Sequence, residues 1–170
     1  MMTMQIKSST SRKLADRTSY RPMEVGQEQE VYELVIRVFQ QKVAPVYSRG
    51  GCEKFLGMIS PEGLSEIANG NNSFVILAKY EEMPIGMLTV RDESHIALFF
   101  VDSRYQGEGI GKHLMDEAKR LCLEKNPSLT AVTVSSSPNS VSFYQAVGFE
   151  ALGDEVDEDG MRFLPMQKTI

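Results

Sequence analysis

The 170-residue chain has no tryptophan, two cysteines and two histidines, and fewer basic than acidic residues. Each scarcity excludes something. Cys52 and Cys122 lie 70 positions apart, which is not a metal-ligand spacing, and two cysteines make no disulfide framework. They read as reduced thiols of a cytoplasmic protein. No apolar run approaches the ~18 residues of a membrane span, so no membrane partner is expected. Eighteen Lys and Arg against 23 Asp and Glu leave a net charge of -5. A protein held to nucleic acid by phosphate contacts is usually basic, so nucleic acid is not expected either. No His, Cys and carboxylate cluster suggests a metal.

What is present is ordinary globular material, 42% hydrophobic and 24% charged. The length fits one domain, able to bury about 70% of its unfolded surface without staples. Residues 1–19 are rich in Ser, Thr, Lys and Arg, without the apolar core of a secretion signal. They read as a leader before a single domain over 20–170. A short edge strand is expected near Tyr20–Met23. Val31, Leu34, Val35, Val38 and Phe39 then repeat at helical spacing until Pro45. A weaker helix is expected over Glu53–Ile59. A further one opens at Ser60-Pro61 and closes at Gly70.

The pattern changes at Ser73. Runs 73–80, 85–90 and 95–101 are rich in β-branched and aromatic residues, with turns at 81–84 and 91–94, and predict an antiparallel meander. Ile110, Leu114, Ala118, Leu121 and Cys122 then share one helical face until Pro127. A strand over 129–134, a helix over 138–147 and strands over 149–152 and 161–167 complete the chain, with Asp159-Gly160 as a hairpin turn. The expected class is α+β, a mixed and mostly antiparallel sheet flanked by helices.

The chemistry gathers in Gln106-Gly107-Glu108-Gly109-Ile110-Gly111-Lys112, between a buried strand and a helix. Glycines there let backbone approach a ligand, and a helix start offers unpaired N–H groups to an anion. A P-loop needs glycine where Gln106 stands and Ser or Thr where His113 stands. A dinucleotide fingerprint needs glycine where Lys112 stands, and parallel strands. Gln106, Gly109 and Gly111 do fit Q/R-x-x-G-x-G/A. With Leu98–Tyr105 before them, they resemble the acetyl-CoA signature of the GNAT (Gcn5-related N-acetyltransferase) superfamily. Ser103 stands where that family usually has proline. Asn139, Tyr144 and Gly148-Phe149 resemble its second motif, and the order of elements matches from about 20 to 168.

The resemblance implies a splayed sheet whose gap admits the pantetheine arm of acetyl-CoA. It implies cofactor contacts from the backbone of Phe99, Phe100 and Val101, from Gln106, Gly107, Glu108, Gly109, Ile110, Gly111 and Lys112, and from Asn139. Tyr144 corresponds to the family tyrosine that protonates the leaving thiolate. His95 stands where some members carry a glutamate base, and Asp92 and Glu93 are lesser candidates. The acceptor side would be lined by Tyr32, Phe39, Tyr47 and Phe55 with the acidic turn 154–159; the same aromatics read equally as core or as a homodimer face. The expected reaction is direct attack of a primary amine, of a small molecule, on acetyl-CoA in a ternary complex. A protein N-terminus or lysine as acceptor, or an acyl-CoA sensor without catalysis, are the alternatives. Glu155-x-Asp157-x-Asp159-Gly160 mimics the start of an EF-hand, but Met166 stands where its glutamate belongs.

Overall fold

A computed structural model describes residues 14–170. Most of the segment read as a leader, residues 1–13, lies outside the described residues. Residues 14–16 form a helical turn against the sheet edge, with Ala15 buried and its carbonyl accepting a hydrogen bond from the Tyr20 hydroxyl.

The sheet runs β1 (Ser19–Pro22), β2 (Phe74–Tyr80), β3 (Met83–Arg91), β4 (His95–Val101), β5 (Ala131–Ser136), β8 (Met161–Thr169) and β6 (Glu150–Ala151), with β7 (Val156–Glu158) on β8. All neighbours are antiparallel except β4 and β5, which run parallel and pair only at His95–Thr133 and Ile96–Val134. Beyond those two pairs the strands part. The expected mixed sheet, antiparallel meander and splay are all present.

One face carries α1 (Glu28–Val38), α2 (Arg49–Met58) and α3 (Pro61–Ala68); the other carries α4 (Ile110–Lys125) and α5 (Val141–Ala146). Two apolar cores result, one centred on Phe39, Leu34 and Leu77, the other on Ile76, Leu88 and Leu114. Gly86 lets α4 sit close on the sheet: a β-carbon there would lie 3.0 Å from Leu114 Cδ1. Among the described residues no helix is long and apolar enough to cross a membrane.

Several boundaries depart from expectation for tertiary reasons. The helix expected to run on to Pro45 leaves α geometry at Val38, widens to a π turn over Phe39–Val43 and tightens to a 3-10 turn over Ala44–Val46. α2 begins at Arg49 rather than Glu53. Ser48 caps it by accepting from the Gly51 N–H, and Gly51 is needed because the Gly160 carbonyl occupies the place of a β-carbon. Met83-Pro84 belongs to β3 and not to the turn; Glu81-Glu82 turn alone, both with positive φ, as do Asp92-Glu93. The stretch read as one helix from Pro138 is a 3-10 turn to Ser140 followed by α5.

Candidate active site

Where β4 and β5 part, a cleft of about 680 Å³ opens between them. β4 is bulged at its entrance: Leu98 pairs with Thr89, but the next partner of β3, Val90, faces Ile96, so Ala97 is extra. The bulge turns the Leu98 N–H onto the buried Thr89 hydroxyl at 3.0 Å. From Ala97 to Val101, β4 has a strand partner on the β3 side alone. Its other backbone edge faces the cleft.

Asp102 ends the strand and fixes the loop after it. Its carboxylate is 3% exposed and accepts from the Arg104 N–H, from Arg104 Nη2 at 2.9 Å and from Arg37 Nη2 at 3.0 Å. The Arg104 guanidinium, seconded by Arg37 on α1, holds this carboxyl down at about 2. The chain then turns through Gly107 and Gly109, both at φ +82°, a conformation costly for residues with a β-carbon. Gln106 Nε2 closes the loop onto the Val101 carbonyl at 3.1 Å. Gly109 caps α4, so the first N–H groups of that helix have no acceptor within it and stand at the cleft. Gly111 carries its close wall: a β-carbon there would lie 3.3 Å from the Phe143 ring and 3.6 Å from Phe99.

On the opposite arm, Tyr144 is 5% exposed and packs edge-on against Phe99, Phe143 and Phe149. Burial holds its phenol above the ordinary tyrosine range, so it stays protonated at neutral pH. Asn139 lines the same arm, and its Nδ2 donates to the Lys42 carbonyl of the π turn.

The cleft thus brings together Phe99, Phe100 and Val101 from β4, then Gln106, Gly107, Gly109, Ile110, Gly111 and Lys112 from the loop, with Asn139 and Tyr144 facing them. Two of the expected residues are not brought there. Glu108 stands outside the lining. His95 also stands outside it, at the closed end where β4 and β5 still pair, its Nδ1 2.8 Å from Thr133 Oγ1. Burial, with help from Arg91, lowers its pKa. His95 is therefore not brought to the cleft as a direct partner for the acceptor.

The acceptor expectation also needs correction. Tyr47 and Phe55 line the cleft, but Phe39 is fully buried beneath them, and Tyr32 and the acidic turn are not in the lining. Three of the turn's carboxylates are engaged elsewhere, Asp159 with Lys54 at 2.9 Å, Glu155 with Arg162 at 2.9 Å and Asp157 with the Gly160 N–H. Among the described residues no three His, Cys, Asp or Glu converge as a metal site. Val38, Lys42 and Thr89 gave no signal in the sequence. Asp102 offered a faint one, a lone acid directly after an apolar strand.

A splayed sheet with a bulged strand, a glycine-turned loop and a helix start at the gap together form a cleft open to an extended, anionic ligand. The sequence matches the acetyltransferase (GNAT) domain over residues 43–170, and the chain belongs to that family. It is 33% identical over 81 residues to the peptidyl-lysine N-acetyltransferase YjaB of Salmonella typhimurium, a match covering 47% of this chain. The chain spans about half the length of that curated relative, 52%. The fold is that of a GCN5-related N-acetyltransferase from Rhodopseudomonas palustris, at a TM-score of 0.76 and 20% identity over 89% of this chain and 95% of that one. It is also that of PaiA N-acetyltransferase from Thermoplasma acidophilum in complex with coenzyme A, at 0.75 and 20% over 90% and 99%.

Proposed function

We propose that the protein transfers an acetyl group from acetyl-CoA to a primary amine of a small molecule, by direct attack in a ternary complex. The observation that carries this is the cleft itself: an unpaired strand edge, an anion-receptive helix start and a buried, protonated phenol meet in one gap. The fit to a polyanionic thioester is good. Among the described residues no Asp or Glu lines the cleft, and Lys112 stands on the first turn of α4 beside the N–H groups of that helix start.

Acetyl-CoA supplies an activated acyl thioester. The chain's residues do the rest. N–H groups at Ile110–Lys112 receive phosphate oxygens, and the free edge of β4 aligns the pantetheine amides. An N–H of that edge, held in place before reaction, stabilises charge developing on a carbonyl oxygen. The Tyr144 phenol donates its proton to the departing sulfur. A bond from nitrogen to carbon forms, the carbon–sulfur bond breaks, and the nitrogen's surplus proton leaves to water. Among the described residues no Asp, Glu, His or Cys lines the cleft, so selection of an already neutral amine by apolar walls takes the place of a strong base.

A small acceptor is supported by the rim. The β7–β8 hairpin is docked on the start of α2, where the Ser48 N–H donates to the Gly160 carbonyl at 3.1 Å and Lys54 pairs with Asp159. Hairpin and helix start are thus held against each other, which supports a bounded acceptor side over an open groove. A protein lysine as acceptor is the second reading, favoured by the activity named for YjaB. The test is release of free thiol from acetyl-CoA with a panel of small amines and a lysine peptide. Turnover on a small amine is expected, and Tyr144→Phe lowers kcat about 100-fold with the KM for acetyl-CoA little changed. Turnover on the peptide alone moves the assignment to a protein acceptor. Unchanged turnover in Tyr144→Phe removes the phenol from the mechanism, and acetyl-CoA binding without turnover leaves a sensor.

A further inference from the structure

The π turn Phe39–Val43 crosses the open end of the splay and is tied to both arms. Gln41 Oε1 accepts from the Ser103 hydroxyl at 2.7 Å, just beyond β4, and the Lys42 carbonyl accepts from Asn139, just beyond β5. Lys42 rides on this strap and lines the cleft. Val38, Val43, Tyr47, Phe55 and Phe100 supply the wall on the strap's side, and Asn139 is the polar neighbour bonded to the strap. That wall is rigid, because Phe55 stacks on buried Phe39 at 4.1 Å and meets Phe100 edge-on at 6.3 Å. Among the described residues no carboxylate lies within salt-bridge distance of the Lys42 ammonium.

We propose that Lys42 determines acceptor specificity, and that the acceptor is a primary monoamine on an apolar, ring-sized body bearing a carboxylate. This rests on the acetyl-transfer reading above. The physical grounds are three. A polycation entering this chamber meets a lysine and, among the described residues, no compensating acid, a like-charge contact. A carboxylate on the acceptor meets an unpaired ammonium at the same point. A positive charge nearby also disfavours the ammonium form of the acceptor, which raises the fraction of neutral nucleophile in a cleft whose lining, among the described residues, holds no carboxylate or histidine to take the proton. The carboxylate therefore serves for recognition and Lys42 serves both recognition and the protonation state.

The experiment compares phenylalanine, 2-phenylethylamine and spermidine as acceptors by thiol release from acetyl-CoA, in the wild type, Lys42→Met and Lys42→Glu. The wild type is expected to favour phenylalanine over 2-phenylethylamine by about 10-fold in kcat/KM, with spermidine the poorest. Lys42→Met should bring the first two within about 2-fold, and Lys42→Glu should reverse their order. The KM for acetyl-CoA and the thermal midpoint should hold in both variants, because the exposed side chain is replaced while its backbone carbonyl stays bonded to Asn139. A wild type that prefers spermidine, or that ignores the carboxylate, overturns this proposal and leaves acetyl transfer standing. A raised KM for acetyl-CoA with an unchanged acceptor ratio overturns it too, assigning Lys42 to a cofactor phosphate. Absence of turnover on all three amines and on the wider panel overturns both readings together.

Discussion

The wall that β4, the glycine loop and α4 turn toward the cleft is mostly backbone, whereas the wall of α1, the π turn and α2 is mostly side chain. On the first, recognition comes from a strand edge without a partner, two left-handed glycines and a helix start. Such groups are placed by local conformation, and local conformation demands particular residues at particular spacings. On the second, Tyr47, Phe55 and Lys42 are brought to the cleft by the docking of helices on a sheet and by an interrupted helix. Many sequences meet that demand, so the second wall is free to suit a different guest without disturbing the first. The backbone wall is the natural seat of a common cofactor, the side-chain wall that of a particular acceptor.

The sharpest way to break this contrast is to fill the backbone wall without straining it. Gly111 sits in regular helix, and its β-carbon would crowd the rings of Phe143 and Phe99 at 3.3 and 3.6 Å, so the Phe143 ring must give by a few tenths of an ångström. Gly111→Leu is expected to fold, with a thermal midpoint within a few degrees of wild type. It should weaken acetyl-CoA by about 100-fold or more, read as lost thermal protection at saturating ligand. Retained protection would mean that the cofactor does not pass along this wall.

The same contrast explains how much of the protein was readable from its residues. β4 was expected at His95–Val101 and lies there, because its apolar run is bounded by turn residues on both sides. The helix start at Ile110 is set by Gly109, and the residues expected to hold cofactor, apart from Glu108, line one cleft. The side-chain wall was legible only as a set of aromatics. Nothing in the local sequence says that Phe39 lies beneath Phe55, that α1 widens after Val38, or that Gly51 belongs inside a helix. That last fact depends on the Gly160 carbonyl, 109 residues away along the chain. The surroundings of His95 were illegible for the same reason: strand alternation gives a face, but the bulge at Ala97 and the point where β5 departs decide what that face meets.

Asp102 joins the two walls, since it binds Arg104 of the loop and Arg37 of α1 together. Asp102→Asn keeps a partner for the Arg104 N–H and removes the charge. A loss of about 2 kcal/mol at pH 7 is expected, the scale of hydrogen bonds to a charged group. The pH dependence fixes the cause. The folded carboxyl is depressed to about 2 by the Arg104 guanidinium first and Arg37 second. Its stabilisation is therefore fully present above the ordinary carboxylate value of ~4 and is lost as pH falls through the folded value. Denaturant midpoints of wild type and variant should converge between those two pH values. A gap that persists below them would make the residue's shape, and not its charge, the link between the walls.

The smallest effect is expected at the closed end of the splay. His95 bonds Thr133 Oγ1 where β4 and β5 still pair, away from the groups that line the cleft. His95→Gln preserves a polar partner for Thr133 and should change catalytic efficiency by less than about 3-fold. With no histidine in the lining, the profile should rise with pH as the acceptor amine itself loses its proton, with no inflection that the substitution abolishes. Stability gives the independent check. Burial first and Arg91 second lower the folded pKa of His95. Its neutral form is thus the one the fold favours, and the associated stability is present above ~6.5 and lost as pH falls through the folded value. The variant should lack that acid-side decline. A loss of catalytic efficiency by about 30-fold or more, with an acid-side inflection gone, would instead route a proton from the acceptor to His95 through water. The acceptor's chemistry would then reach beyond the side-chain wall to the root of the sheet, and the division between the two walls would fail.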